Sequence, residues 1–397
     1  MKQGSLIELG KEFTMNTYNR FSLVIERGEG NCLFDIDGKR YLDFASGIAV
    51  NALGYGNKEL AHNLENQLSK VVHCSNLYWN EPAIKLAQTL VTNSCFDKTF
   101  FCNSGTEAVE AALKLAKKYG KTVKGEECFE IISMEHSFHG RTLGSISVTG
   151  QTKYQKDFTP LLEGIKHSPY NDFALLEKVI TDKTCAIILE PIQGEGGIHP
   201  ADADFLRKVR TLCNDKEIAL VFDEVQCGIG RTGTLFAYQN YDIEPDIIAL
   251  AKGLGGGLPI GAMLANKKFS NVFQPGDHAA TFGGNPLSCS AANTVIDFLV
   301  NKDLLLNVKE QGKYLKNSLL ELQGKFNVIK EIRGMGLMQG MELTIPAVEI
   351  VKKAMDKGLL LVGAGANVVR FVPPLTIKSE EIDTAMEILS TVLKELS

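Results

Sequence analysis

A chain of 397 residues, 44% of them hydrophobic, can bury a large core and should divide into about two domains, which excludes a disordered or fibrous protein. Lys and Arg number 42 against 47 Asp and Glu, a formal charge of -5 without blocks of like charge. That leaves no electrostatic footprint for nucleic acid and makes small molecules the expected partners. The nine cysteines, scattered with no C-x-x-C spacing, read as reduced thiols, not as a disulfide framework or a zinc site. The N-terminal MKQGSLIELGKEF lacks the apolar core of a signal peptide, and no apolar run approaches the roughly 18 residues of a membrane helix. The expected location is therefore the cytoplasm, away from any membrane.

In chain order, residues 1–50 contain FDIDGKRYLDF, where Asp-Gly between apolar runs predicts a hairpin in a small separate layer. Between Lys98 and Ala265 the runs KTFFC, CFEIISM, TCAIILE, EIALVFDE and PDIIALA alternate with helical patterns at crossover spacing. This predicts a mostly parallel sheet covered on both faces, in a large α/β domain spanning 51–283. Functional residues in such sheets collect just beyond the strand ends. Residues 284–397 change to a long amphipathic helix over 288–322, strand-like NVIKEIR and GLMQGMEL, and a closing helix over 379–396. They form a smaller α+β domain, expected to pack with the N-terminal layer.

Lys252 follows the strand-like IIALA and precedes GLGGGLPIG, so its amine emerges at a strand end into a loop with little side-chain bulk. A lysine there can be a nucleophile, although taken alone it is more often a surface lysine beside a turn. Asp223 ends IALVFD; a carboxylate there can keep a pyridinium nitrogen protonated, with Val225 on one ring face and Gln226 at a phenolic oxygen. A strand-end Asp is equally often a helix cap or a metal ligand. Ser104, Gly105, Thr106 and Glu107 form a capping box whose helix N-terminus can also bind phosphate. Phe138, in HSFHGRTLG, can stack on a ring opposite Val225, and Arg141 can fork onto a substrate carboxylate. His136 and His139 lack a third ligand at a convincing spacing and read as polar lining, so no metal is expected.

Together FFCNSGTEAVEAALKLAKKY, SFHGRTLGSISVTG, EPIQGEGG, FDEVQCGIGRTG, LAKGLGGGLPIGAML and TFGGNPLSC resemble, in order and spacing, the ornithine-type class III pyridoxal-phosphate aminotransferases over nearly the whole chain. The resemblance implies a fold-type I α/β architecture with a mostly parallel seven-stranded sheet, pyridoxal 5'-phosphate as cofactor, and a homodimer with shared active sites. It assigns Gly105 and Thr106, beside Ser104, to the phosphate, Phe138 to the ring, Asp223 to the ring nitrogen and Lys252 to the Schiff base. It assigns Arg141 to a substrate carboxylate and Thr281 to the phosphate bound by the partner subunit. Glu195 and Arg370 match the pair that neutralises a carboxylate receptor for one substrate and exposes it for the other. Tyr18 matches a position on the substrate side of the pocket. Two positions depart from the pattern: Ala280, where Ser is frequent, and Thr106, where Ala is common.

Within the family, FDIDGKRYLDFASGIAVNALGYGN, RGMGLMQGMEL and VVRFVPPL imply acetylornithine as donor and 2-oxoglutarate as acceptor, in a ping-pong reaction of arginine biosynthesis. The products are N-acetylglutamate 5-semialdehyde and glutamate. Succinyldiaminopimelate, succinylornithine, ornithine and 4-aminobutyrate are the alternative donors, since one acyl group changes transition-state binding only modestly. A cofactor-binding protein without catalysis has no need of Lys252, Asp223, Arg141 and Arg370 together. A nucleotide-binding reading of GLGGG lacks both phosphate-loop spacings.

Overall fold

Seven strands form the central sheet in the spatial order Lys98–Cys102, Gly261–Ala265, Ile247–Leu250, Ala219–Asp223, Thr184–Leu189, Glu130–Met134 and Ile165–Ser168. The computed structural model describes residues 2–396. Thr184–Leu189, Ala219–Asp223 and Ile247–Leu250 are buried at every position, as near-continuous apolar runs should be when both faces are covered. Only Gly261–Ala265 runs antiparallel to its neighbours, pairing Ile247–Leu250 on one side and Lys98–Cys102 on the other. That strand and Ile165–Ser168 are absent from the sequence expectation. The first hides behind a glycine run, and the second reads IKHS, with two polar residues in its middle.

Helix Gly105–Lys124 covers one face, burying Ala108, Val109, Ala112, Leu115, Ala116 and Tyr119 along one side. Its approach to the sheet is close: a Cβ on Gly120 would lie 2.5 Å from Cys185 Cβ. All nine cysteines are free thiols.

The expected hairpin forms between Cys32–Asp35 and Arg40–Asp43, with Asp35 Oδ1 accepting from the Asp37 and Lys39 amides across the turn. Strand Ile25–Glu29 flanks it, and Leu359–Leu360 joins Arg40–Asp43 in parallel from the far end of the chain. A second four-stranded sheet holds Ile329–Met335, Met338–Leu343, Val368–Phe371 and Val362–Gly363. The single helix expected over 288–322 is two, Pro286–Asn301 and Leu304–Lys325. Asp303 takes a left-handed φ of 56° and breaks the run, so the first helix packs on Lys58–Leu68 and Glu81–Thr92 while the second packs on Ile329–Met335 and the closing helix Ser379–Lys394. Among the described residues no helix is long and apolar enough to cross a membrane, and no cluster of three or more metal-ligating side chains occurs.

Candidate active site

The segments that leave five strands of the large sheet open into one cavity of about 400 Å³, lined by Ser104, Gly105, Thr106, Phe138, His139, Arg141, Glu190, Glu195, Asp223, Val225, Gln226 and Lys252 with others. Its floor begins where Lys98–Cys102 turns into helix Gly105–Lys124. Ser104 is the N-cap, its extended backbone letting Oγ accept from the Glu107 amide, while the Glu107 carboxylate accepts from Asn103 N at 2.7 Å. The first-turn amides of Gly105 and Thr106 are left without intrahelical partners and carry the positive end of the helix dipole, an anion site by construction. Gly105 has no room for a side chain, because a Cβ there would lie 2.6 Å from Val225 Cγ1. The Thr106 hydroxyl already pairs with Thr142 Oγ1 at 2.9 Å.

Asp223 ends its strand 4% exposed. One carboxylate oxygen accepts from the Val225 amide at 3.0 Å, and the other meets His139 Nδ1 at 2.7 Å. An ionised carboxylate only accepts, so that contact puts the proton on Nδ1; His139 Nε2 is buried without a partner. The neighbouring Glu190 is fully enclosed, accepting from the Phe138 amide at 2.9 Å and the Gly194 amide at 3.0 Å. Burial raises it to about 7, His139 opposing that rise and Asp223 adding to it. Phe138 meets Tyr154 edge-on, and the Arg141 guanidinium lies 4.3 Å from the Tyr154 ring centroid.

Lys252 follows Ile247–Leu250 with a left-handed φ of 44°, a conformation that costs a non-glycine residue energy and that clusters at functional sites. The side chain is partly accessible through the cavity. No described group hydrogen-bonds its Nζ, and burial pushes the amine below its usual value, with Glu195 opposing and Arg370 adding. On the far wall Arg370 is 1% exposed, its Nη1 donating to Glu195 Oε1 at 2.5 Å and to Gln226 Oε1 at 2.9 Å. Burial would raise the Glu195 carboxyl, but Arg370 wins and holds it below the usual range. Gln226, expected at a ring oxygen, is thus bonded into the far wall.

Two expected site residues lie outside this cavity in the chain. Tyr18 is 68% exposed, under Arg20. Thr281 is exposed on a separate groove of about 1020 Å³ with Leu77, Tyr78, Trp79 and Ala280. Three cavity features escaped the sequence: Glu190, the partnership of His139 with Asp223, and the segment leading to Val50. There Ser46, Gly47, Ile48 and Ala49 all take left-handed φ values, of 44° to 66°; only Gly47 gave a hint of it.

The chain matches the family Aminotransferase class-III over residues 13–393. It is 50% identical to the acetylornithine aminotransferase of Clostridium acetobutylicum, across 97% of this chain and 100% of that protein. The same-named protein of Methanocaldococcus jannaschii is 48% identical, with 100% of both chains covered. Among solved structures, N-acetylornithine aminotransferase from Stenotrophomonas maltophilia superposes with a TM-score of 0.85 at 36% identity, covering 98% of this chain and 99% of that one. Ornithine aminotransferase from Toxoplasma gondii gives 0.96 at 29%, covering 100% and 96%. With a lysine, a strand-end aspartate and an amide-lined helix start on one cavity, this chain belongs to the class III aminotransferases, fold-type I enzymes that use pyridoxal phosphate to move an amino group from a donor to a keto acid.

Proposed function

We propose that the enzyme transfers the terminal amino group of N-acetylornithine to 2-oxoglutarate, giving N-acetylglutamate 5-semialdehyde and glutamate in arginine biosynthesis. The relatives of about 50% identity and near-complete coverage carry that name. The observation that carries the reading is the buried Arg370 with Glu195 on its Nη1, a carboxylate receptor already neutralised in the cavity wall.

Pyridoxal phosphate has an anionic end, a flat ring with a basic nitrogen, and an aldehyde; the residues present fit each part. The Gly105 and Thr106 amides face the anion, the Gly105 to Val225 approach leaves a flat cradle, and Asp223 is acceptor-only with both oxygens anchored. When bound, the group supplies an electron sink that stabilises negative charge at the carbon carrying the amine. Asp223, oriented by His139, would sustain that sink by holding a proton on the ring nitrogen. Phe138 and Val225, both lining the cavity, would hold the ring between them. Lys252 Nζ, whose ammonium form burial disfavours, would hold the cofactor at its aldehyde and, once freed, serve as base at the donor carbon. Arg141 receives the carboxylate common to both substrates. Glu195 covers Arg370 while a donor without a carboxylate beside its reacting amine is bound, then turns away to expose Arg370 to the carboxylate beside the keto group of 2-oxoglutarate.

Thr281 completes the site from the partner subunit of a homodimer. What supports this is the exposed apolar surface around it: Leu77, Tyr78, Phe282 and Trp79, the last 91% exposed. Tyr18 contributes to the substrate side in that assembly. The chain divides at about residues 50 and 283, and the pairing of Leu42 with Leu359 supports the packing of the two terminal parts as one smaller domain; the enzyme works in the cytoplasm. The experiment is glutamate formation from 2-oxoglutarate with a panel of amines. Acetylornithine should lead ornithine and 4-aminobutyrate in kcat/KM; no turnover with any acylated diamine would overturn the substrate.

A further inference from the structure

The Glu195 switch sits on a tight loop between two short paired strands, Ile192–Gln193 and His199–Pro200. The loop backbone is held on both sides of Glu195. On the near side Gly194 N donates to Glu190 Oε2 at 3.0 Å. On the far side Arg333 Nε donates to Gly197 O at 2.9 Å. Arg333 comes from RGMGLMQGMEL, on strand Ile329–Met335 of the second four-stranded sheet. It is 8% exposed, and its Nη1 reaches Glu331 at 2.7 Å and Glu342 at 2.5 Å, so its charge is balanced and its fork is fixed before it meets the loop. The surroundings leave the loop little freedom. A Cβ on Gly197 would lie 3.0 Å from His199 Nε2 and 3.3 Å from Arg333 Nη2, and one on Gly340 would lie 2.8 Å from Ile198 Cβ. Ile198 itself is held at a left-handed φ of 57°.

We propose that Arg333 is a positioning residue for substrate alternation: it pins the Gly194–Ile198 backbone so that Glu195 exchanges partners by side-chain rotation alone, which sets how firmly its carboxylate competes for Arg370. This rests on the Glu195 and Arg370 reading above. A pinned backbone keeps the carboxylate at high local concentration beside Arg370 and favours the donor half of the cycle. Loosening it frees Arg370 for α-carboxylates.

The test follows the two half-reactions of the holoenzyme separately by cofactor absorbance, with acetylornithine and with glutamate, alongside amide hydrogen exchange of the 192–200 segment. Arg333→Lys keeps the charge between Glu331 and Glu342 but loses the Nε bond; Glu342→Gln, which loosens the fork, serves if the lysine variant does not fold. The expected result is faster exchange over 192–200 and a fall of at least about fivefold in the acetylornithine-to-glutamate ratio of kcat/KM, through a lower KM for glutamate and a higher one for acetylornithine. A ratio within twofold of wild type, with or without faster exchange, overturns the proposal, as does a changed ratio with unchanged exchange. Glu195→Gln is the control. If it leaves the ratio unmoved, the switch reading itself has failed; if it moves the ratio and the Arg333 variant does not, only the pin has.

Discussion

The two walls of the cavity handle charge in opposite ways. On the ring side Asp223 is locked, one oxygen on the Val225 amide and the other on His139, with Gly105 pressed so close to Val225 that nothing can be added. On the other wall Arg370 Nη1 donates to both Glu195 and Gln226, the first bond spanning 2.5 Å, and the proposed function requires the Glu195 bond to open in every cycle. Both walls bury charge, yet only the second uses partners that can be exchanged. A buried pair is a poor source of stability but a good two-position device, provided the backbone that carries it does not drift.

Removing Lys252 tests whether both walls serve one centre. Lys252→Ala should keep its circular dichroism and lose turnover by about 10⁴-fold or more, and wild-type-like rates would dismantle the site altogether. Arg370→Met tests the exchangeable wall. It should raise the KM for 2-oxoglutarate by roughly 10- to 100-fold, the value of a charge-assisted hydrogen bond, with a smaller change for the donor. Equal changes for the two substrates would mean that the pair is merely structural.

Gly105→Ala tests the locked wall: the clash with Val225 should weaken cofactor binding about tenfold, read by fluorescence titration, as overpacking of 1–3 kcal/mol implies. Unchanged affinity would show that the wall yields. The smallest expected effect is on pH. Cofactor uptake by the apoenzyme needs neutral Lys252, so its rate should rise with pH through the amine's lowered value and level off below the usual lysine range. Glu195 is the group that opposes this lowering, so Glu195→Gln should move the midpoint to still lower pH. A midpoint moving upward would contradict the geometry of the far wall.

The sequence makes the ring wall more legible than the substrate wall, and the reason is locality. Ser104, Asp223 and Lys252 each stand just past a strand whose apolar run announces it, so periodicity marks the positions while the family resemblance supplies the roles. The partnership of His139 with Asp223 joins residues from two crossovers, and Arg333 meets Gly197 across two sheets; no spacing in the chain encodes either. The left-handed run from Ser46 to Ala49 is hidden for a different reason. It is enforced from outside, by Asp43 accepting from the Ala45 and Ser46 amides and by Ser46 Oγ donating to Val372 O, and not by the residues' own preferences. The break at Asp303 was missed because amphipathic periodicity continues on either side of it while the packing partners change.

The pairing of Leu42 with Leu359 bears on the order in which the protein is made. The N-terminal hairpin leaves the ribosome early, but the strand that completes its sheet follows about 300 residues later, roughly 15–60 s at ordinary elongation rates. Until then its edge is open to other nascent chains. Arg370 emerges about ten residues after that strand, so a chain truncated before it would hold Lys252 and Asp223 while leaving Glu195 without its guanidinium partner.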